Sequence, residues 1–266
     1  MNYTRKTLSS PVTFEGKGLH SGTPVTMTVH PGEAGIWFRL GSDRVQAVPE
    51  NVSDTTRCTR LGPVSTIEHL MSALAGLEIT DVEVELTASE LPGMDGSSKL
   101  YVEALRECDF VDLGEATVPS LYRRIFLQEE TCKVAVSKGS GHWRYEYNTG
   151  DRWPGLQVYE TSAVIEDYAD QIAPARTFAL SEELPMIEKY GLGRGLDLDS
   201  AVILDESGYR NQARFDTEPV RHKLLDMIGD LYLAGIPIRM LSAVGERNGH
   251  TANVKVAQML KQSLQG

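Results

Sequence analysis

Pro219-Val-Arg-His-Lys-Leu-Leu-Asp-Met-Ile-Gly-Asp-Leu-Tyr-Leu-Ala-Gly-Ile-Pro237 reads as one helix with a polar line down its side. Pro219 stands near its start, Thr217 or Asp216 can cap it, and Gly235 with Pro237 ends it. Leu224, Leu225, Ile228, Leu231 and Leu233 supply its apolar positions. His222, Asp226 and Asp230 recur at every fourth residue and so return to one face. An imidazole nitrogen beside a carboxylate oxygen suits divalent zinc, which in catalytic sites takes three protein ligands and leaves one position for water. Charged lines on solvated faces are also common, and the spacing alone leaves both readings open.

Upstream of this helix the chain groups strands together, then helices. Val25-Thr-Met-Thr-Val29 alternates with period two, as does the run 35–40, and Pro31-Gly32 supplies a turn between them. A helix over 66–76 follows, then the alternating strand Asp81-Val-Glu-Val-Glu-Leu86, a turn-rich loop at 91–97 and a helix over 100–108. The second half repeats the plan, with strands over 125–138, 143–147, 156–160 and 200–205 and helices around 166–172, 219–233 and 253–264. Such grouping predicts α+β layers rather than an alternating parallel sheet. Gly114, Pro119 and small polar residues break the pattern near Glu115 to Ser120, which predicts two domains, 1–116 and 117–266.

A third metal ligand is sought among few residues, since the histidines are His20, His30, His69, His142, His222 and His250. His69 stands in Ser65-Thr-Ile-Glu-His-Leu-Met-Ser-Ala-Leu-Ala-Gly76, directly after Glu68. A metal lowers the pKa of a water towards neutrality, and a carboxylate placed there can take its proton. Ser65-x-x-Glu68 is equally a capping box, in which Glu68 satisfies a backbone donor at the helix start. His250, in Arg247-Asn-Gly-His-Thr-Ala-Asn253, falls in a glycine-bearing loop that leads into the last helix. It is either a catalytic loop residue that changes charge near neutral pH or an ordinary surface side chain. Thr177, in Ala175-Arg-Thr-Phe178, offers a hydroxyl to a developing oxyanion.

Eight short motifs occur in order: Gly16-Lys-Gly-Leu-His-Ser-Gly22, Asp54-Thr-Thr-Arg-Cys-Thr59, Ser65-Thr-Ile-Glu-His-Leu70, Met94-Asp-Gly-Ser97, Ala175-Arg-Thr-Phe178, Val220-Arg-His-Lys-Leu-Leu-Asp226, Ile228-Gly-Asp-Leu231 and Gly249-His250. Together they resemble the UDP-3-O-acyl-N-acetylglucosamine deacetylases, the zinc amidases of lipid A biosynthesis, from Thr7 to about Leu260. The resemblance implies two similarly folded α+β domains, each a sheet with a helix layer, the helix layers packed face to face. It also implies a small βαβ insert at about 177–195 that holds an acyl chain. His69, His222 and Asp226 would be the zinc ligands and Glu68 the general base. His250 would stay protonated, stabilise the tetrahedral intermediate and protonate the leaving amine. Thr177 and Lys223 would stabilise oxyanion and substrate, Asp230 would orient His250, Phe178 would lie beside the sugar or acyl chain, and Cys58 would lie near the metal. The implied reaction is hydrolysis of the acetamide at sugar carbon 2.

Departures from the family pattern cluster in the insert. Gly195-Leu196 replaces a Gly-Gly pair, Ser200 replaces an Asn, and Glu182-Glu183 with Pro185 stands where an apolar lining is expected. Two alternatives follow: a paralogue with the same chemistry on another N-acetylated sugar, and a non-catalytic sugar-nucleotide binding protein. Ferrous iron is the alternative to zinc for a two-histidine, one-carboxylate site. A net charge of −11 argues against nucleic acid and anionic membranes as partners, and leaves the phosphates of a UDP-sugar lipid precursor to local cations such as Lys223 and Arg194. No apolar run approaches the roughly 20 residues of a membrane span. Met1 is not followed by an apolar segment of the secretory kind, and Cys58, Cys108 and Cys132 show no paired spacing. These features predict a reducing, cytoplasmic location, a monomer, and at most transient membrane contact.

Overall fold

A computed structural model describes residues 1–119, 121 and 123–265. The first half opens with β1 (Asn2–Leu8), β2 (Val12–Lys17), β3 (Pro24–Pro31), β4 (Ile36–Leu40) and β5 (Asp43–Gln46). Three short strands follow, β6 (Val52–Asp54), β7 (Arg60–Leu61) and β8 (Val64–Ser65), then α1 (Glu68–Gly76), β9 (Val82–Leu86), α2 (Lys99–Arg106) and β10 (Phe110–Thr117). The main sheet runs β2-β3-β9-β4-β5, while β10 returns to pair with β1. The turn at Pro31-Gly32 therefore closes no hairpin, because β9 lies between β3 and β4, antiparallel to one and parallel to the other. Gly32 permits this: a Cβ there would lie 2.7 Å from the backbone nitrogen of Val82. The alternation of β9 buries Val82, Val84 and Leu86 and turns Glu83 and Glu85 towards Arg39.

The second half contains β11 (Ile125–Gln128), β12 (Lys133–Lys138), β13 (His142–Asn148), β14 (Leu156–Thr161), and α3 (Val164–Asp167), which continues as a π-helical turn to Ile172. Next come β15 (Phe178–Leu180), α4 (Leu184–Lys189), β16 (Val202–Asp205), β17 (Gly208–Tyr209), α5 (Glu218–Tyr232), β18 (Leu241–Glu246) and α6 (His250–Gln265). Its main sheet runs β11-β12-β18-β13-β14. Both main sheets thus have one order, in which the last strand of each sheet in sequence, β9 or β18, enters between its second and third. The strand expected over 125–138 is a hairpin, and α6 starts at His250, which moves that histidine from a loop onto the first helical turn. β15 pairs parallel to β16 across α4, so the βαβ unit extends beyond residue 195 to Asp205. The expected domain break falls at the end of β10, and its Ser120 end lies outside the described residues.

Every residue of α1 is buried, as suits a helix rich in Ala and Leu with no polar face to show to water. It packs directly on α5 within one continuous apolar core. The crossing point is Gly229, where a Cβ would lie 2.1 Å from the backbone oxygen of Glu68. Backbone-to-backbone contact at this glycine sets Glu68-His69 of one half against His222 and Asp226 of the other.

Candidate active site

The start of α5 is fixed by a buried ion pair. Glu218 receives Arg176 in a fork, with Nε at 2.9 Å and Nη2 at 3.2 Å, and also accepts the backbone N–H groups of Arg176 and Arg214. Thr217 precedes the helix without capping it through its side chain. Anchored in this way, the segment 175–178 runs along α5. The Ala175 carbonyl lies 3.0 Å from Nδ1 of His222 and can only accept, so Nδ1 carries the proton and Nε2 is free.

That free nitrogen lies 3.4 Å from Oδ1 of Asp226, and Nε2 of His69 lies 3.6 Å from the same oxygen. The donor atoms of the three side chains all lie within 4.8 Å of one another. Lys223 donates to the other oxygen of Asp226 at 2.9 Å, whereas Oδ1 is buried with no hydrogen-bond partner among the described residues. A desolvated anionic oxygen facing imidazole nitrogens is a donor set for a divalent cation. Desolvation drives His222 down to about 3, which keeps it neutral as a ligand must be. Burial works against charge on Asp226, but His222 and Lys223 hold its pKa well below the usual carboxylate value. Burial likewise opposes charge on Lys223, and Asp226 keeps its pKa above the ordinary one.

The capping-box reading of Ser65 and Glu68 fails. α1 begins at Glu68 with no side-chain cap, and Ser65 donates to the Ser89 carbonyl instead. One oxygen of Glu68 accepts the N–H of Thr59 at 3.0 Å, and the other faces Nε2 of His250 at 3.9 Å. Burial raises the pKa of this carboxyl. Nδ1 of His250 lies 2.9 Å from Asp230, which also accepts from the Thr59 hydroxyl at 2.5 Å and the Asn253 amide at 2.9 Å. Burial opposes the imidazolium, yet Asp230, followed by Glu68 and Asp226, pushes His250 up to about 9. The carboxyl of Glu68, raised by burial, and the imidazolium of His250, raised by its carboxylate neighbours, therefore face each other across the site.

A cavity of about 630 Å³ joins Glu68, His69, Thr177, Lys223 and His250, while Asp230 stands behind His250. Phe178 packs edge-on to His222 at 6.1 Å, with Nζ of Lys223 5.5 Å from its ring centre. Leu184, Ile187, Leu192, Leu196 and Ile203 of the βαβ unit line one arm. Of the acidic pair, Glu182 turns outward to Arg152, whereas Glu183 stands on the cavity wall with one oxygen accepting the Leu180 N–H at 3.1 Å. Ser200 donates to Asp197 at 2.7 Å and shapes the loop behind Leu196. Cys58 stays outside the donor trio, and burial pushes its thiol up to about 12, which leaves it protonated and inert. Thr59 and Asn253, which hold the two carboxylates, carried no local signal in the sequence.

Comparisons with known proteins agree on one family. The family described as UDP-3-O-acyl N-acetylglycosamine deacetylase (LpxC) matches residues 5–262. A UDP-3-O-acyl-N-acetylglucosamine deacetylase of Leptospira biflexa is 34% identical, over 98% of this chain and 91% of its own length. Relatives of the same name from Xanthomonas campestris pv. campestris and Xanthomonas axonopodis pv. citri are 36% and 37% identical, each over 96% of this chain and 89% of their own. With the family matched from the first strand to the last helix, the chain belongs to the UDP-3-O-acyl-N-acetylglucosamine deacetylases.

Proposed function

We propose that this chain hydrolyses the N-acetyl group of a UDP-3-O-acyl-N-acetylglucosamine, giving acetate and the 2-amine of a lipid A precursor. His69, His222 and Asp226 hold a divalent cation in this reading, zinc first and ferrous iron the alternative. The observation that carries it is the buried, unpartnered Oδ1 of Asp226 facing two imidazole nitrogens. When bound, such a cation polarises a carbonyl and lowers the pKa of a water.

The chain's own residues supply the rest. Glu68 keeps one oxygen on the Thr59 N–H and presents the other as the proton acceptor. His250, cationic at neutral pH, faces the developing oxyanion and then gives its proton to the leaving nitrogen. Asp230 orients it through Nδ1. Thr177 offers a hydroxyl, Lys223 adds positive charge and Phe178 covers one side of the sugar, all on the cavity wall. The apolar arm takes the 3-O-acyl chain, and domains 1–116 and 117–266 meet at the reacting centre. One chain supplies the whole constellation, which fits a monomer. Free Cys58, Cys108 and Cys132 fit a reducing cytoplasm. No helix among the described residues is long and apolar enough to cross a membrane.

Acetate release from UDP-3-O-(3-hydroxyacyl)-N-acetylglucosamine tests the reading. Turnover should vanish on chelation and return with zinc; no turnover by protein that holds one equivalent of metal would discard the substrate. Leu196 on the arm wall favours one second reading, the same hydrolysis on a sugar with a shorter acyl group.

A further inference from the structure

The apolar arm is walled from both halves of the molecule. Leu184, Ile187, Leu192 and Leu196 come from the βαβ unit, and Leu19 comes from the turn between β2 and β3. Two backbone hydrogen bonds join these walls. The N–H of Gly195 donates to the Leu19 carbonyl at 3.1 Å, and that of Arg194 to the His20 carbonyl at 3.2 Å. Gly195 permits so close a joint, since a Cβ there would collide with the carbonyl oxygen of Gly18.

The turn that receives the βαβ unit is anchored from below by a buried carboxylate. Oε1 of Glu90 accepts the N–H of His20 at 2.7 Å, and Oε2 accepts that of Ser21 at 2.8 Å. Oε1 also accepts the hydroxyl of Thr66 at 3.0 Å, a β-branched residue held at φ 62°. Such a left-handed backbone persists only where its surroundings fix it. Burial opposes charge on Glu90, but donors from Ser21, His20 and Thr66 keep its pKa below the ordinary carboxylate value. No salt bridge reaches Glu90 among the described residues, so these donors alone offset its desolvation.

We infer that Glu90 is a positioning residue for acyl-chain selection: it fixes the turn 18–22, the turn docks the βαβ unit, and the docked unit closes the arm around a long chain. The inference rests on the function proposed above, which puts the 3-O-acyl group in that arm. Glu90 itself is not on the cavity wall and acts through Leu19 and the backbone joint.

Calorimetric titration of the full chain with two amine products, one bearing a long 3-hydroxyacyl group and one a 3-O-acetyl group, reads the selection without turnover. The native protein should bind the long-chain product more tightly, because the arm buries its methylenes. In Glu90→Ala the ratio of the two Kd values should shrink roughly tenfold or more, the scale of hydrogen bonds to a charged group. Glu90→Gln keeps one acceptor oxygen, so its ratio should fall between the two, and it carries the test alone should Glu90→Ala not fold. Gly195→Ala opens the same joint from the βαβ side, and combining it with Glu90→Ala should cost less than the two separate losses together. In acetate release, KM should rise for the long-chain substrate relative to the acetyl one, while kcat changes by one factor for both.

Equal affinity of the native protein for the two products overturns the inference. So does an unchanged ratio in Glu90→Gln or Gly195→Ala, or an equal loss of affinity for both products, which is all that a merely structural role would give. A ratio that shrinks in the variants of a protein that releases no acetate would sustain the role of Glu90 and overturn the deacetylase reading alone.

Discussion

Asp230 shares out its two oxygens among Thr59, Asn253 and His250, and this division holds the proton on the imidazole. A histidine raised to about 9 is charged below that pH and loses its proton as pH rises through it. The alkaline limb of kcat/KM should therefore fall near pH 9. In Asp230→Asn the attraction weakens and the limb should move down, by roughly one unit or more; a pH–rate profile with the limb unmoved would refute this role. Glu68→Gln should keep its metal by elemental analysis while kcat falls by roughly 10² to 10⁴, the usual share of a general base. Asp226→Ala should lose the metal on dialysis. At this scale the sequence was legible where residues share a helix, as at 222, 226 and 230. Thr59 and Asn253 were not legible, because their partners stand 171 and 23 residues away and only folding makes them neighbours.

Elements carry the reacting groups to one another through contacts between backbones. Gly229→Ala would place a methyl against the backbone of Glu68, and neither helix can give way by a rotamer change. Destabilisation of about 1–3 kcal/mol in urea is expected, with loss of activity beyond the loss of fold. Arg176→Ala would strand the buried carboxylate of Glu218, which costs about 3–5 kcal/mol by the same measurement. Leu196→Gly should lengthen the acyl chain that gives the lowest KM, read from a series of substrates. Strand alternation made β9 legible as a half-buried strand, yet not its neighbours. Pro31-Gly32 looks like a hairpin turn locally, and the partner that separates β3 from β4 comes some 50 residues later in the chain, where no local signal can announce it. Gly249 reads locally as a breaker that would leave His250 in a loop, although it only precedes the helix.

At the scale of the molecule, the donor trio draws on both halves: His69 from the first, His222 and Asp226 from the second. A cation there binds the folded chain and not its separated parts, so it should resist unfolding as well as support chemistry. At a thousandfold excess over Kd the gain is about 4 kcal/mol, or roughly 10 °C in the melting temperature of a chain this size. Melting curves with zinc and with chelator check it, and coincident curves would count against the site. The α+β class and the two-part plan were legible from the grouping of strands and helices, whereas the matching order of the two sheets emerged only with the fold.

That order has a consequence for how the protein is made. In the second half, the strand that joins β12 to β13 is β18, and it leaves the ribosome after nearly everything else. A chain interrupted before Leu241 holds two hairpins with open apolar edges and nothing to join them. His250 follows within a few residues of that strand. Synthesis therefore delivers the keystone of the sheet and His250, the proton donor of the proposed reaction, together, so an unfinished copy keeps open edges and lacks that acid.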